Sequence, residues 1–213
     1  MKFSEFLKYI PKILKEQLPA VTAHAKMAPL ERIPSLDPEF YKSNIVRKSA
    51  VMMLFYPKNG IAHLVLIKRN TYPGIHSSQI SFPGGKAEPE DDNLAATALR
   101  ETFEEVGISP DDIEVVMPFS EIYIPPSNFL VYPFLGVAKS ELKFDPSPDE
   151  VEAIIELPLD AFLDDSILTN TEMHTSYSQK TIVPAFLFEG HIVWGATAMI
   201  LSELKETIKN VLK

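Results

Sequence analysis

A glycine-rich turn followed by a capped helix, in residues 81–108, constrains the fold more strongly than any other part of the chain. The segment reads SFPGGKAEPEDDNLAATALRETFEEVGI. Residues 94–106 contain no glycine or proline, and they are rich in alanine and leucine. Asp92 and Asn93 before them are good N-cap residues, and Gly107 stands where a left-handed C-cap residue belongs. The sequence therefore predicts a helix over residues 94–106.

The two faces of this helix carry different chemistry. Successive residues turn by about 100° around a helix. Glu101, Glu104 and Glu105 then share one side, at spacings i, i+3 and i+4. The opposite side carries small and apolar residues, which we expect to pack on a sheet: Ala95, Ala98, Leu99, Thr102 and Val106.

The three carboxylates have two readings. Like charges at this spacing cost a helix only roughly 0.2–0.5 kcal/mol per pair, so a solvated acidic face is the first. The second is a metal site, because these carboxylates and the Gly85 carbonyl of the preceding turn form an all-oxygen set that Mg²⁺ or Mn²⁺ prefers. Arg100, four residues before Glu104, is placed to hold one carboxylate.

The segment resembles the signature of the Nudix hydrolases. That signature is Gly, five residues, Glu, seven residues, Arg-Glu, an apolar residue, any residue, Glu-Glu, any residue, Gly and an apolar residue. The stretch Arg100–Ile108 matches its second half except at Thr102, which stands where an apolar residue is usual. Asp91 replaces the first Glu, and eight residues instead of seven precede Arg100. The one-residue longer spacing and the Phe-Pro-Gly-Gly at residues 82–85 resemble the branch of this family that includes coenzyme A diphosphatases.

The resemblance implies an α/β fold, a Nudix α/β/α sandwich around a mixed sheet, and a metal-dependent attack of water on a diphosphate. It implies that Mg²⁺ or Mn²⁺ is the cofactor and that Arg100 is an orienting partner of the ligands. The implied metal ligands are Glu101 (also a candidate base), Glu104, Glu105 and the carbonyl of Gly85. Asp91 would hold these ligands in place. Glu150 and Glu121 are candidates for a further acid from a distant loop, although each can equally be an ordinary surface acid.

The residues before the glycine turn bear on the substrate. The coenzyme A branch has a pattern with two arginines and a glycine there; this chain keeps the first as Arg69 but has Gly74 and Ser78 at the other two positions. The lost arginine would suit a phosphate, and a lysine such as Lys68 or Lys86 could substitute for it. His76, in the same loop, is either a phosphate contact or a structural residue. The predicted substrate-binding residues are Arg69, His76 and Lys86.

Resemblance to this branch predicts hydrolysis of coenzyme A or acyl-CoA to adenosine 3′,5′-bisphosphate and 4′-phosphopantetheine. One alternative keeps the chemistry and changes the substrate to ADP-ribose, NADH or a nucleoside triphosphate. A second alternative is a non-catalytic nucleotide-binding domain, although such domains usually lack some of the acidic residues of the signature.

Charge and composition exclude several classes of partner. The net charge of −9 argues against nucleic acid, and the absence of cysteine excludes disulfides and thiol chemistry. No apolar run approaches the roughly 20 residues that span a bilayer, and lysines interrupt the apolar residues near the N-terminus. We therefore expect a small-molecule diphosphate as the partner, no nucleic acid, no membrane and a cytoplasmic location.

The chain divides into an N-terminal helical or irregular extension, residues 1–44, and a Nudix domain, residues 45–213. Residues 2–18 have a helical apolar stripe that Pro11 should kink or divide, and residues 19–44, which include His24, are predicted to be irregular. The stripe should dock on the domain or on a second subunit, which suggests a homodimer; a membrane-surface helix is the alternative. The predicted strands are residues 48–56, 63–68, 113–118, 129–137, 150–157, 181–188 and 191–194, and the further helices are residues 159–163 and 196–212.

Overall fold

The computed structural model describes residues 1–70, 79–173 and 180–213. Its helices are α1 (Phe3–Phe6), α2 (Ile10–Ile13), α3 (Val21–His24), α4 (Leu94–Val106), α5 (Leu159–Leu163) and α6 (Gly195–Leu212). Its strands are β1 (Arg47–Lys58), β2 (Ile61–Arg69), β3 (Ile80–Ser81), β4 (Gly84–Lys86), β5 (Ile113–Pro118), β6 (Ile122–Ile124), β7 (Phe129–Ala138), β8 (Val151–Pro158), β9 (Leu168–Met173), β10 (Thr181–Phe188) and β11 (His191–Trp194). Short 3₁₀ turns connect several of them.

The main sheet is mixed, as expected for a Nudix sandwich. Its central order is β3-β2-β1-β7-β5, with β4 paired to β1, β6 to β7 and β8 to β2. The pair β1–β7 is parallel, and the other pairs are antiparallel. A second sheet has the order β11-β10-β9.

Strand β1 separates two apolar cores because its side chains alternate between the faces of the sheet. Met53 and Phe55 pack in the core that contains α6, whereas Met52 and Leu54 pack in the core that contains α4. Helices α4 and α6 therefore cover opposite faces, here named the α4 face and the α6 face. The predicted α/β/α sandwich is confirmed.

Helix α4 has the predicted bounds. The Asn93 side chain caps it by accepting hydrogen bonds from the amides of Ala95 and Ala96, and Gly107 ends it at φ 74°. Thr102 is buried in spite of its polarity because its hydroxyl donates to the Ala98 carbonyl at 2.6 Å. A threonine is thus tolerated where the Nudix signature usually has an apolar residue.

The N-terminal segment is more ordered than predicted. Residues 2–18 form two short helices, α1 and α2, divided by a 3₁₀ turn at Leu7–Tyr9, and Pro11 lies in the first turn of α2. Residues 19–44 contain α3 and further 3₁₀ turns, so the prediction that they are irregular is wrong in part. Phe3, Phe6 and Ile13 are buried in the same core as α6. Most of the apolar stripe is therefore covered by the chain itself, although Leu14 stays exposed, and this weakens the argument for a homodimer.

A buried polar cluster joins this segment to α6. Glu203 of α6 is fully buried, and its carboxylate lies 3.2 Å from His24 Nε2. It also accepts hydrogen bonds from the Ala20 amide, the Ser120 amide and the Ser120 hydroxyl. His24, to which the sequence assigned no role, thus fastens the N-terminal segment to the α6 face. The boundary at residue 44 stays a prediction.

Within the described residues, none of the helices combines the length and the apolar character that a membrane span requires.

Candidate active site

The glycine turn reaches α4 because β4 pairs with β1. Gly85 is the partner of Ala50 in this ladder, which places its backbone on the α4 face. A methyl group at Gly85 would lie only 2.5 Å from Cδ of Glu101. Glycine is therefore required for the Glu101 carboxylate to lie directly against the strand.

Arg100 uses all five of its N–H donors to organise this region. Its Nε and Nη2 bind the two oxygens of Asp91 at 2.9 and 3.1 Å, and Nη2 also binds the Lys86 carbonyl at 3.0 Å. Its Nη1 binds Glu101 at 3.0 Å and Glu104 at 2.9 Å. The expected pairing with Glu104 is present, and the same guanidinium also joins the helix to the turn before it.

Asp91 holds Arg100 in place. Its carboxylate also accepts hydrogen bonds from the Thr97 hydroxyl at 2.8 Å and from the Glu88 amide at 2.9 Å. The hydrogen bonds from Arg100 are the main reason that the pKa of Asp91 lies below its ordinary value. Asp91 therefore stays ionised and holds Arg100, which in turn contacts the predicted ligands. It does so although it stands one residue farther from Arg100 than the usual glutamate.

Glu105 is buried against the sheet, although the helical pattern places it on the side opposite the apolar residues. Its side chain is 1% exposed; Oε1 accepts from Arg69 Nη1 at 2.7 Å and Oε2 accepts from the Gly84 amide at 2.8 Å. Burial raises the pKa of Glu105 to about 7, although the Arg69 charge and the Gly84 amide oppose the shift. The end of β2 supplies Arg69, and this partner allows a carboxylate at a position that the helix turns toward the sheet.

The other two carboxylates are less buried. The Glu101 side chain is 15% exposed and the Glu104 side chain 50%. Burial raises the pKa of Glu101, Arg100 opposes this, and the charges of Glu104 and Glu150 add to it. Glu101 is therefore a stronger base than an ordinary surface glutamate.

The oxygen ligands suit a hard divalent cation. Three carboxylates within two turns of one helix, with one lodged against a glycine backbone, match the preference of Mg²⁺ and Mn²⁺ for oxygen. Arg100 and Arg69 neutralise these carboxylates in the structure, and no three acidic or histidine side chains among the described residues are arranged to hold an ion. A metal ion held by these carboxylates would therefore share them with Arg100 and Arg69.

The remaining predicted residues lie at different distances from this centre. Lys86 contributes its carbonyl to Arg100, and its side chain is exposed. Glu150 is exposed at the start of β8 and is close enough for its charge to act on Glu101. Glu121 is exposed before β6, at the far edge of the sheet. His76 lies outside the described residues, as do Gly74 and Ser78.

The chain matches a family model and several known proteins. The NUDIX domain model matches residues 46–176. The chain is 33% identical over 181 residues to "Nudix hydrolase 15, mitochondrial" of Arabidopsis thaliana, covering 82% of this chain and 61% of that protein. It is 30% identical over 179 residues to the uncharacterized Nudix hydrolase NudL of Cronobacter sakazakii, covering 82% and 90%. This chain thus spans nearly all of the bacterial relative but less than two thirds of the plant protein.

Solved structures share the fold. A Nudix hydrolase from M. smegmatis, RenU, superposes with a TM-score of 0.50 at 15% identity, covering 77% of this chain and 86% of that one. A MutT/nudix family protein from Enterococcus faecalis also has a TM-score of 0.50 at 15% identity, covering 89% and 73%.

Proposed function

The chain belongs to the Nudix hydrolase family, and on this premise we propose that it hydrolyses a nucleoside-diphosphate-linked substrate with a divalent cation as cofactor. The observation that carries the proposal is the arrangement of α4 against the β4 turn. Glu101 lies against Gly85, and one guanidinium, that of Arg100, holds Glu101, Glu104 and Asp91 together.

In the proposed mechanism, α4 and the glycine turn bind the cofactor, and Glu101 handles the proton. Glu101, Glu104, Glu105 and the Gly85 carbonyl would hold Mg²⁺ or Mn²⁺. Such an ion neutralises charge on the diphosphate and makes a bound water more acidic. Glu101 takes one proton from the attacking water. The water oxygen forms a bond to one phosphorus, and the bond from that phosphorus to the bridging oxygen breaks, so the two phosphates separate.

Asp91 and Arg100 act as positioning residues. Every donor of Arg100 is occupied by this chain, so Arg100 orients the carboxylates and leaves substrate contact to other residues. Glu150, whose charge reaches Glu101, is better placed for a further acid than Glu121.

Coenzyme A or acyl-CoA is the proposed substrate. The Phe-Pro-Gly-Gly turn and the one-residue expansion with Asp91 support this choice. Cleavage would give adenosine 3′,5′-bisphosphate and 4′-phosphopantetheine. Arg69, the arginine that the chain keeps from the branch pattern, supports Glu105 in the structure. ADP-ribose, NADH and nucleoside triphosphates are the substrates to compare.

Incubation of the protein with coenzyme A tests the proposal. The reaction is run with Mg²⁺, with Mn²⁺ and with a chelator, and the products are identified by mass spectrometry. We expect 4′-phosphopantetheine only when metal is present and only when Glu104 is intact. The variant Glu104→Gln is compared with Glu114→Gln, which changes an exposed glutamate on β5.

The outcomes distinguish the proposed chemistry from the proposed substrate. Cleavage of ADP-ribose, NADH or a nucleoside triphosphate, without cleavage of coenzyme A, would refute the substrate and keep the chemistry. Tight nucleotide binding by a folded protein that cleaves none of these compounds would favour a non-catalytic binding domain.

A further inference from the structure

A cavity of about 210 Å³ opens at the edge of the main sheet, between the N-terminal segment and β6. Its lining includes two tyrosines, Tyr41 and Tyr123, and four other polar residues, His24, Ser35, Ser120 and Glu121. None of these residues takes part in the proposed hydrolysis. The space is large enough for a bicyclic ring, because it equals about seven waters at about 30 Å³ each.

One wall of this edge cavity is a fixed aromatic platform. The rings of Tyr41 and Tyr123 are stacked with centroids 4.7 Å apart. The Tyr123 hydroxyl donates to Asn128 at 3.0 Å and accepts from Asn44 at 3.3 Å, so this ring cannot turn without losing two hydrogen bonds. Arg32 also donates to the Tyr123 carbonyl at 2.6 Å. Tyr41, which is partly exposed, therefore rests on a rigid support.

An acceptor without a partner lies beside the platform. Glu121 is exposed, and its carboxylate makes neither a hydrogen bond nor an ion pair with the described residues. Burial raises the pKa of Tyr41 and of Tyr132, and the charge of Glu121 raises both further, which places this carboxylate near both rings. With Glu203 buried behind His24, the negative charge disfavours a phosphate group in the cavity. A planar ring that donates N–H groups matches it better.

The edge cavity lies within reach of the diphosphate site. Gly85 is the partner of Ala50, and Ala50 is the partner of Tyr132. Ile122 is the partner of Val131 in the antiparallel pair β6–β7, so Glu121 continues this ladder opposite Tyr132. Glu121 is therefore three strand spacings from Gly85, or about 14 Å at about 4.8 Å each. An extended nucleoside diphosphate can bridge that span.

We propose that the edge cavity binds the nucleobase of the substrate, with the base stacked on Tyr41 and an N–H group donated to Glu121. This inference rests on the proposed function in that the substrate carries a nucleoside. It assigns to Glu121 the recognition of the base instead of the role of a further acid. It holds for any of the adenine-containing substrates named above, because the base is common to them.

Comparison of adenosine 5′-monophosphate with ribose 5-phosphate isolates the contribution of the base. Calorimetric titration in the presence of Mg²⁺ gives Kd for both ligands with the full chain. Stacking of a base on an aromatic ring is worth roughly 1–3 kcal/mol by alanine substitution, which is roughly 5- to 150-fold at 1.4 kcal/mol per tenfold. We expect the wild type to bind the nucleotide at least about tenfold more tightly than the sugar phosphate.

Two substitutions and their controls test the named contacts. We expect Tyr41→Ala to remove most of the preference for the nucleotide, Tyr41→Phe to keep the stacking, and Glu121→Gln to weaken nucleotide binding alone. The matched controls are Tyr9→Ala and Glu5→Gln, which lie on the N-terminal segment away from the edge cavity and should leave both Kd values unchanged.

Several results would overturn the inference: equal binding of the two ligands by the wild type, no binding of the nucleotide, or equal weakening of both ligands by Tyr41→Ala. The hydrolysis assay tests the proposed function independently of these binding measurements. A protein that cleaves no diphosphate but loses nucleotide preference in Tyr41→Ala would refute the hydrolysis and support the base site. A protein that cleaves the diphosphate normally, but whose preference for the nucleotide is unchanged in Tyr41→Ala, would support the hydrolysis and refute the base site.

Discussion

Replacement of Gly85 by alanine tests the proposed active site with one added carbon atom. The new Cβ would lie 2.5 Å from Cδ and Oε1 of Glu101 and closer still to Oε2, whereas ordinary contacts begin at 3.4 Å, so the carboxylate must retreat by about 1 Å. A misplacement of about 1 Å in a catalytic arrangement can cost about 100-fold in rate. We therefore expect kcat/KM for the diphosphate substrate to fall about 100-fold.

Stability should change little in this variant. Gly85 does not have a left-handed φ, and the atoms that the methyl group displaces are at the end of a flexible side chain. Gly60 has the opposite properties: its φ of +74° is left-handed, and no atom lies within 4 Å of an added Cβ. Gly60→Ala should cost about 1 kcal/mol of unfolding free energy and leave kcat/KM unchanged. Urea unfolding and steady-state kinetics on both variants measure the two effects.

Measuring both activity and stability in the two variants separates an effect on the site from an effect on stability. A folded Gly85→Ala protein with wild-type kcat/KM would show that the position of Glu101 does not control the chemistry. A loss of activity in Gly60→Ala as large as that in Gly85→Ala would show that lowered stability, and not the site, explains the result.

Three further predictions concern single side chains. Glu104→Gln should lower metal affinity, measured by titration with Mn²⁺, by at least about tenfold, while the unfolding free energy stays within about 0.5 kcal/mol of wild type; unchanged affinity would remove Glu104 from the metal site. Glu203→Ala should lower the unfolding free energy in urea by about 3 kcal/mol, because it leaves His24, Ser120 and the Ala20 amide without their acceptor; a loss below about 1 kcal/mol would contradict the role of this cluster. Hydrogen bonds from Lys209 and Lys205 lower the pKa of Asp165 from 3.8 to about 2, so their stabilisation is present above about pH 4 and is lost as the pH falls toward 2. Asp165→Asn should therefore lower Tm at pH 7 and have a much smaller effect at pH 2, where about half of the folded carboxyl groups are protonated; an equal difference at both pH values would contradict the assignment.

The sequence predicts helix α4 to the residue because its signals are local. The cap residues, the uninterrupted helix formers and the C-terminal glycine all lie within residues 92–107. The strands β5, β10 and β11 and the helix α5 also have their predicted bounds, since each is a short apolar pattern between clear turn residues.

The features that the sequence did not predict depend on distant partners. Strand β4 reads Gly-Gly-Lys, which has no apolar alternation, and it is a strand only because β1 pairs with it. Strands β3, β6 and β9 were missed as well, the first two because they contain only two and three residues. The burial of Glu105 depends on Arg69, 36 residues earlier in the chain. A helical wheel places a side chain on a face but cannot show which other element meets that face.

The contact between His24 and Glu203 has a consequence for the order of folding. The two residues are 179 positions apart, so the N-terminal segment has no partner on α6 until almost all of the remaining described chain has been made. At about 5–20 residues per second, synthesis would leave this segment waiting for roughly 10 to 40 seconds. Ala23 and Met27, which the native protein buries where this segment contacts α6, are therefore available to chaperones or to wrong partners during that interval. The α6 face is completed last, after the strands and the carboxylate helix on the other side can already have paired.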